Sequence, residues 1–255
     1  MAIRLHDVTK SFPGNDSAGA VAVVDHVDLD APDGRIVALF GPNGCGKTTI
    51  LNIIAQIEPP DTGSVSVIGP DSRRLKVGYA FQNFRDTLLP WESAFDNVSF
   101  GLRAQGMTHE SARQRVAAFL DQHGLDIPRK NYPYQLSIGQ QQTVALTRTL
   151  VQNPSNVLLD EAFSALDHKA RFRMQDLVVS LIRASGSTMI VVSHDVDECL
   201  LLSQEFILLS KRPARIIKRF PVPFEYPRKH ELLASTEFAA LRREVVAEFV
   251  KEVGA

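Results

Sequence analysis

Three features are scarce in this sequence, and each scarcity excludes a class of protein. Its 255 residues include only two cysteines, Cys45 and Cys199, which form no metal-spaced cluster. A disulfide framework is therefore implausible. The formal net charge is -1, which gives no support to the clustered basic face of a nucleic-acid-binding protein. We expect no nucleic-acid partner.

Long apolar runs are also missing. No run approaches the roughly 20 residues that a membrane-spanning helix needs. The first residues, Met1–Asp7, lack the apolar core of a secretory signal. We therefore expect a soluble protein, so any membrane role would come through a partner.

What the sequence does contain is an alternation of apolar, β-branched runs with longer helical patterns, which predicts βαβ units in an α/β fold. Strands are predicted at Ile3–Val8, Ala22–Leu29, Ile36–Phe40, Val65–Ile68, Val77–Phe81, Val157–Leu159 and Thr188–Val192, with a final antiparallel pair at Glu205–Leu209 and Arg215–Lys218. Helices are predicted at Lys47–Gln56, Ser93–Ala104, His109–Gln122, Ser137–Gln152, His168–Ala184 and Glu237–Val253.

The strand pattern stops between residues 82 and 152, where only helical spacing is found. This predicts a helical subdomain inserted into a sheet domain. We expect a single domain over 1–220, with its core at 1–81 and 153–220 and the helical subdomain at about 82–152. Residues 221–255 are expected to form a C-terminal helical extension.

A phosphate-binding loop follows the apolar strand Ile36–Phe40. The sequence Gly41-Pro42-Asn43-Gly44-Cys45-Gly46-Lys47-Thr48, with Thr49 next, fits the P-loop pattern between a strand and a helix. Its glycines let backbone N–H groups turn towards phosphate oxygens, and the helix that begins at Lys47 adds its positive end. We expect Lys47 to reach the β- and γ-phosphates and Thr48 to bind Mg²⁺.

A pair of carboxylates ends a second apolar strand, in Val157-Leu158-Leu159-Asp160-Glu161. Alone, such a pair usually marks a solvated strand end or a helix cap. Beside a P-loop, it predicts that Asp160 supplies an oxygen ligand to Mg²⁺. Glu161 would then orient or deprotonate the attacking water.

Between these two motifs lies Leu136-Ser137-Ile138-Gly139-Gln140, a turn that opens a helix. Together with them it resembles the signature of ATP-binding-cassette (ABC) ATPases, and the resemblance runs from Phe12 to Arg215. It implies the P-loop ATPase fold of that family, with an antiparallel β subdomain and an inserted helical subdomain. It also implies ATP and Mg²⁺ as ligands and a head-to-tail pair of ATPase subunits. Ser137, Gly139 and Gln140 would contact the ATP that the other subunit holds.

The resemblance assigns further roles. Gln82 occupies the position of the family's Q-loop glutamine, which contacts Mg²⁺ or water; an ordinary polar residue at a strand end is the alternative. His194 occupies the position of a histidine that bonds the γ-phosphate. Phe12 matches the aromatic that stacks on adenine, with a core phenylalanine as the alternative. Asp167 lies in the loop that touches the opposite subunit and could also cap a helix.

Three positions depart from the family pattern. Ile138 stands where glycine is usual, and its β-branched side chain restricts the close backbone approach that glycine permits. Thr143 replaces a common arginine, and Ala162 replaces a proline. All the predicted hydrolytic residues are present, so a catalytically degraded cassette is disfavoured.

Three stretches resemble importer ATPases of the nitrate/sulfonate/taurine type: Leu88-Leu89-Pro90-Trp91, Ser193–Glu198 and Ser210–Ile216. This resemblance implies transmembrane permease subunits, a solute-binding protein that acts indirectly, and a peripheral location on the cytoplasmic side of the inner membrane. Trp91 would be an exposed anchor for the permease, with a core tryptophan as the alternative. The alternative functions are a soluble ABC ATPase without transport and the ATPase subunit of another ABC transporter class.

Overall fold

The computed structural model describes residues 3–14, 19–67 and 77–254, which fall into two compact units. The first unit lies within residues 1–75 and 186–255 and the second within 76–185. The strands are β1 (Ile3–Pro13), β2 (Ala20–Ala31), β3 (Ile36–Phe40), β4 (Thr62–Val67), β5 (Val77–Ala80), β6 (Asn156–Asp160), β7 (Thr188–Val192), β8 (Glu205–Leu209) and β9 (Ile216–Pro221). The helices are α1 (Lys47–Ile54), α2 (Phe84–Thr87), α3 (Ala94–Ala104), α4 (His109–Gln122), α5 (Ile138–Leu150), α6 (His168–Ser185), α7 (Val196–Leu202) and α8 (Thr236–Gly254).

An antiparallel sheet in the first unit has the order β2-β1-β4. Both long strands extend beyond their predicted ends, because pairing between them continues past the apolar residues, out to Pro13 and Ala20. The strand predicted at Val65–Ile68 is found at Thr62–Val67, and Ile68 lies outside the described residues. The predicted antiparallel β subdomain is confirmed.

A mixed sheet in the same unit places β3 between β7 and β8, both parallel to it, with β9 antiparallel to β8. All residues of β3 and β7 are buried. Strands covered on both faces carry continuous apolar runs, which explains why the sequence predicted both with their observed bounds. Because β3 and β7 are parallel, the segments that follow them leave from the same edge of the sheet.

The second unit combines the parallel pair β5–β6 with helices α2 to α6. Hydroxyl side chains set the starts of three of these helices: Ser93, Thr108 and Ser137 each accept a backbone N–H three residues further on. Two short helices, α2 and α7, were not predicted, because one or two turns carry too little periodicity.

The C-terminal helix α8 belongs to the first unit and packs against its other elements. Lys218 pairs with Glu244 at 3.1 Å and Arg242 with Asp197 at 2.8 Å, and the Phe249 ring lies edge-on to Phe40 with centroids 5.1 Å apart. Over the ranges that the structure describes, no helix has both the length and the apolarity to cross a membrane.

Candidate functional site

Two glycines of the P-loop in the first unit, Gly46 and Gly41, leave little or no room for a side chain. Gly46 has a φ of 128°, and a Cβ added to it would lie 2.7 Å from the carbonyl O of Val23. At Gly41, an added Cβ would lie 3.1 Å from both the Cβ and the carbonyl O of Leu209. Any residue other than glycine is excluded at position 46, both by backbone strain and by the contact with the Val23 carbonyl. The loop therefore turns sharply from β3 into α1.

Lys47 is held at this loop. Its side chain is only 6% exposed, and its Nζ donates hydrogen bonds to the carbonyl O of Gly41 at 2.7 Å and of Pro42 at 2.9 Å. Thr48, the second residue of α1, is exposed, and the first turn of α1 carries no acidic residue. A buried ammonium beside an accessible helix N-terminus forms a favourable environment for phosphate.

Cys45 and Cys199 are buried free thiols in the first unit. Burial raises the pKa of the Cys45 thiol, and the smaller effect of the Lys47 charge opposes it. Burial also raises the pKa of the Cys199 thiol, so both thiols remain protonated near neutral pH.

His194 leaves the sheet at the same edge as the P-loop, since it follows β7 and the P-loop follows β3. Its side chain is exposed. The next residue, Asp195, caps α7 by accepting the N–H groups of Asp197 at 2.9 Å and Glu198 at 3.3 Å. This cap fixes the backbone that carries His194.

Phe12 lies near the end of β1, half-buried and opposite Val21 of β2. The Nζ of Lys10 lies 5.3 Å from the centre of its ring. Lys10 is held in turn by the Glu58 carboxylate at 2.7 Å and by the Pro59 carbonyl at 2.8 Å. The ring is therefore supported by a cation that has little freedom to move.

Asp160 is the last residue of β6 in the second unit, and Glu161 follows it. Asp160 is buried, and the hydroxyl of Tyr79 on the neighbouring strand hydrogen-bonds its carboxylate. Burial, and to a lesser degree the Asp160 charge, raises the pKa of Tyr79, so its hydroxyl stays protonated and donates. This partner could not be predicted from sequence patterns, because its position follows from strand pairing.

Glu161 has a left-handed backbone, with φ of 48°. Such a conformation costs on the order of 1–3 kcal/mol for a residue other than glycine and is concentrated at functional sites. The turn is closed by a hydrogen bond from the Ser164 N–H to the Glu161 carbonyl at 3.2 Å, and Ala162 is buried within it. The turn thus forms without the proline that is usual in the family.

The signature turn caps the N-terminus of α5. The Ser137 hydroxyl accepts the N–H of Gln140 at 3.3 Å, and the Gln140 side chain accepts the N–H of Ser137 at 2.9 Å. Ile138 is the first residue of the helix and 50% exposed. A Cβ on Gly139 would lie 3.3 Å from the Ala165 carbonyl, so the second position is the sterically tight one.

Two further residues of α5 tie it to neighbouring loops of the second unit. The Gln142 side chain accepts the N–H of Ala165 at 2.8 Å and donates to the carbonyl of Glu161 at 3.4 Å. Arg148 donates to the carbonyl and the hydroxyl of Thr87 at 2.6 and 2.7 Å. Neither residue was predicted from the sequence, since each acts through contacts distant in the chain.

Gln82 is exposed and lies two residues beyond β5. It lines a surface groove together with residues 83–86 and Ile138. Trp91 is 71% exposed, so the core alternative for this residue is wrong. Asp167 accepts the N–H of Ala170 at 2.9 Å, which is the predicted capping interaction.

The sequence model of the family described as "ABC transporter" matches residues 24–164. The taurine import ATP-binding protein of Chromobacterium violaceum is 37% identical over 97% of this chain and 95% of its own length. The corresponding protein of Escherichia coli is 37% identical over 81% of each. An uncharacterised ABC transporter ATP-binding protein of Methanocaldococcus jannaschii is 35% identical over 96% of this chain and 90% of its own.

Solved structures give the same result for the fold. A dimeric bacterial ABC transporter cassette superposes with a TM-score of 0.77 and 31% identity, covering 88% of this chain and all of that one. A dimeric cassette in a post-hydrolysis state, bound to ADP and phosphate, has the same TM-score and coverage with 30% identity. The predicted fold class is confirmed.

Proposed function

Because the chain belongs to the ABC transporter family of ATP-binding proteins, we propose that it drives the import of taurine or a related small anion such as a sulfonate or nitrate. The chain is an ABC-type ATPase and the ATP-binding subunit of an importer. The observation that carries the substrate proposal is the 37% identity over nearly the whole chain to a taurine import protein. The same relatives disfavour a soluble ABC ATPase without transport.

The nucleotide site that we propose in the first unit consists of the P-loop residues Gly41 to Thr49, Phe12 for the base and His194 for the γ-phosphate. The geometry of Lys47 supports it, since an ammonium that already bonds loop carbonyls needs little reorganisation to reach phosphate oxygens. The turn set by the glycines and the absence of acidic residues from the first turn of α1 both favour the binding of an anion.

Mg²⁺ would be held by Thr48, Asp160 and Gln82. These residues fit the ion, because a hard cation takes oxygen ligands and commonly uses one or two carboxylates plus substrate phosphates. The Asp160 carboxylate is buried and held by Tyr79. Over the described ranges no group of three acidic, histidine or cysteine side chains could hold a metal alone. When bound, the ion would offset phosphate charge.

In the hydrolysis that we propose, Glu161 orients or deprotonates the attacking water. Lys47 and His194 stabilise charge on the γ-phosphate, and Gln82 reports occupancy of the site to the helical region. The chemistry rests on positioning and charge rather than on covalent catalysis. The strained backbone of Glu161 supports its assignment as the catalytic carboxylate.

The second subunit completes the site. We propose that Ser137, Gly139 and Gln140, on the N-terminus of α5, bind the γ-phosphate held by a partner ATPase in a head-to-tail dimer. The exposure of Ser137 and Gln140 supports this, as does the dimeric state of the similar cassette. Binding of ATP would favour the closed dimer, and hydrolysis would release it.

We propose that membrane permease subunits dock on the second unit near Trp91. An exposed tryptophan is a common interface anchor, and the groove of residues 82–86 with Ile138 lies in the same unit. Arg148 fixes Thr87 to α5, so movement of the docked permease would be transmitted to the signature helix. The protein would then be peripheral, on the cytoplasmic side of the inner membrane, with a solute-binding protein acting through the permease.

For the domains we propose one cassette over 1–220, with its core at 1–81 and 153–220, the helical subdomain at 82–152 and an extension at 221–255. The pairing of Glu244 with Lys218 and the contact of Phe249 with Phe40 support a structural role for the extension.

Glu161→Gln tests the mechanism. This variant should bind ATP without turnover and accumulate as a dimer in light scattering, while a second variant with Lys47→Ala added should remain monomeric. A Glu161→Gln protein that stays monomeric with ATP even when the permease is present would rule out the dimer mechanism. Uptake of taurine, alkanesulfonates and nitrate, measured in cells with the gene deleted and then restored, identifies the substrate. If restoring the gene restores uptake of none of these solutes, the substrate proposal is wrong.

A further inference from the structure

The loop between β8 and β9 lies against β2. The Ala214 N–H donates to the carbonyl of Val23 at 2.8 Å, and the Asp25 N–H donates to the carbonyl of Ala214 at 3.0 Å. The Arg215 Nε donates to the Asp25 carboxylate at 2.7 Å. These contacts fix residues 210–215 beside β2.

Three consecutive residues of β2 connect the proposed base site to the P-loop. Val21 lies opposite Phe12. The Val23 carbonyl approaches Gly46 so closely that an added Cβ would lie 2.7 Å away, and the Cβ of Ala214 would lie 3.2 Å from that added atom. The backbone from Val21 to Val23 thus runs from the aromatic ring to the phosphate loop.

Arg212 bonds to the residue between these two. Its Nε donates to the carbonyl of Ala22 at 3.3 Å, and its side chain is exposed. The charge of Arg215, three residues later, is compensated by an ion pair with Asp25. A guanidinium that uses Nε on a carbonyl keeps its terminal N–H groups available as a planar pair of donors.

We infer that Arg212 is a further nucleotide-binding residue whose terminal guanidinium N–H groups donate to the ribose hydroxyls. The inference rests on the proposed nucleotide site, with the base at Phe12 and the phosphates at Gly46 to Thr48. In a nucleotide the ribose joins the base to the phosphates, so it lies beside Ala22 when both ends are bound. The guanidinium held at the Ala22 carbonyl is therefore placed to donate to the ribose hydroxyls.

Calorimetric titration with ADP, 2′-deoxy-ADP and pyrophosphate tests this inference without turnover. Arg212→Ala should weaken ADP binding about 3- to 10-fold, as expected for loss of an exposed charge-assisted hydrogen bond. It should abolish the preference for ADP over 2′-deoxy-ADP and leave pyrophosphate binding unchanged. Arg212→Lys should keep pyrophosphate binding and also lose the preference. The matched control Lys211→Ala, next to Arg212 and also exposed, should behave as the wild type.

Two results would overturn the inference: unchanged ADP affinity in Arg212→Ala, or an equal loss for ADP and pyrophosphate, which would indicate a general electrostatic effect. Lys47→Ala separates this from failure of the proposed site. If Lys47→Ala weakens the binding of ADP and pyrophosphate while Arg212→Ala changes the binding of neither, only the assignment of Arg212 fails. If Lys47→Ala also changes neither, the nucleotide site itself is misplaced.

Discussion

The side-chain amide of Gln142 donates a hydrogen bond to the backbone carbonyl of Glu161, whose backbone is left-handed. Helix α5, which begins at the signature turn, therefore supports the backbone that carries the proposed catalytic carboxylate. The same amide accepts the N–H of Ala165 at 2.8 Å. One buried side chain therefore fixes both ends of the turn after β6. A shift of α5 would therefore displace Glu161.

Gln142→Leu should lower ATP turnover about 10-fold or more, because small displacements of a catalytic group are costly. ADP affinity should be unchanged, since no P-loop residue is altered. Loss of the partner of the Ala165 N–H should reduce the free energy of unfolding by about 1–2 kcal/mol. Steady-state kinetics and thermal denaturation measure these effects. Gln114→Ala, on the exposed face of α4, is the control. Wild-type turnover in Gln142→Leu would show that the two hydrogen bonds of Gln142 do not support catalysis.

In the proposed head-to-tail dimer, Ile138 would determine how closely the signature turn approaches the partner's ATP. Its backbone is helical rather than left-handed, so glycine is not needed for conformation, and only the half-exposed side chain stands in the way. Ile138→Gly should raise ATP turnover and cost roughly 0.5–1 kcal/mol of stability through helix propensity.

Ile138→Ala separates the two effects, because it removes the bulk and keeps a helix former. It should raise turnover without the loss of stability. An unchanged or lower rate in both variants would mean that the neighbouring backbone has adapted to isoleucine.

The pairing of His26 with Asp7 predicts a pH dependence of stability. The pKa of His26 is raised, first by the hydrogen bond to the Asp7 carboxylate and then by its charge. Because the folded pKa lies above the unfolded value of about 6.5, the stabilisation is fully present below about pH 6.5 and is lost as the pH rises through the folded pKa.

His26→Asn isolates this effect, since asparagine tolerates the left-handed backbone of residue 26, whose φ is 49°. Chemical denaturation of both proteins between pH 5 and 9 should give a difference in stability that is largest in the acidic range and disappears in the alkaline range. A difference that is constant with pH would show that the imidazolium does not contribute.

Burial should protect the Cys45 thiol in spite of the neighbouring Lys47. Its pKa is raised because burial outweighs the Lys47 charge, and the reactive species is the thiolate. In a Cys199→Ala background, Ellman's reagent should label native protein at least about 10-fold more slowly than denatured protein. Equal rates would show an accessible thiolate in the P-loop.

The sequence by itself determined the features that depend on local chemistry. Strand β3, α4, strand β7 and strand β8 were predicted with their observed bounds, because buried strands and amphipathic helices carry continuous patterns. The glycine-rich loop before Lys47 and the turn that opens α5 were equally recognisable in the sequence. The short helices α2 and α7 were not.

Only the tertiary structure decided the contacts between residues distant in the chain. Tyr79 is 81 residues from the Asp160 that it hydrogen-bonds, Gln142 reaches Glu161 from another element, and Arg212 is 190 residues from Ala22. The exposure of Trp91 was undecided until its surroundings were known. Such relationships arise from strand pairing and loop packing, which have no period in the sequence, so the motifs identify the ATPase and the fold selects the residues that support them.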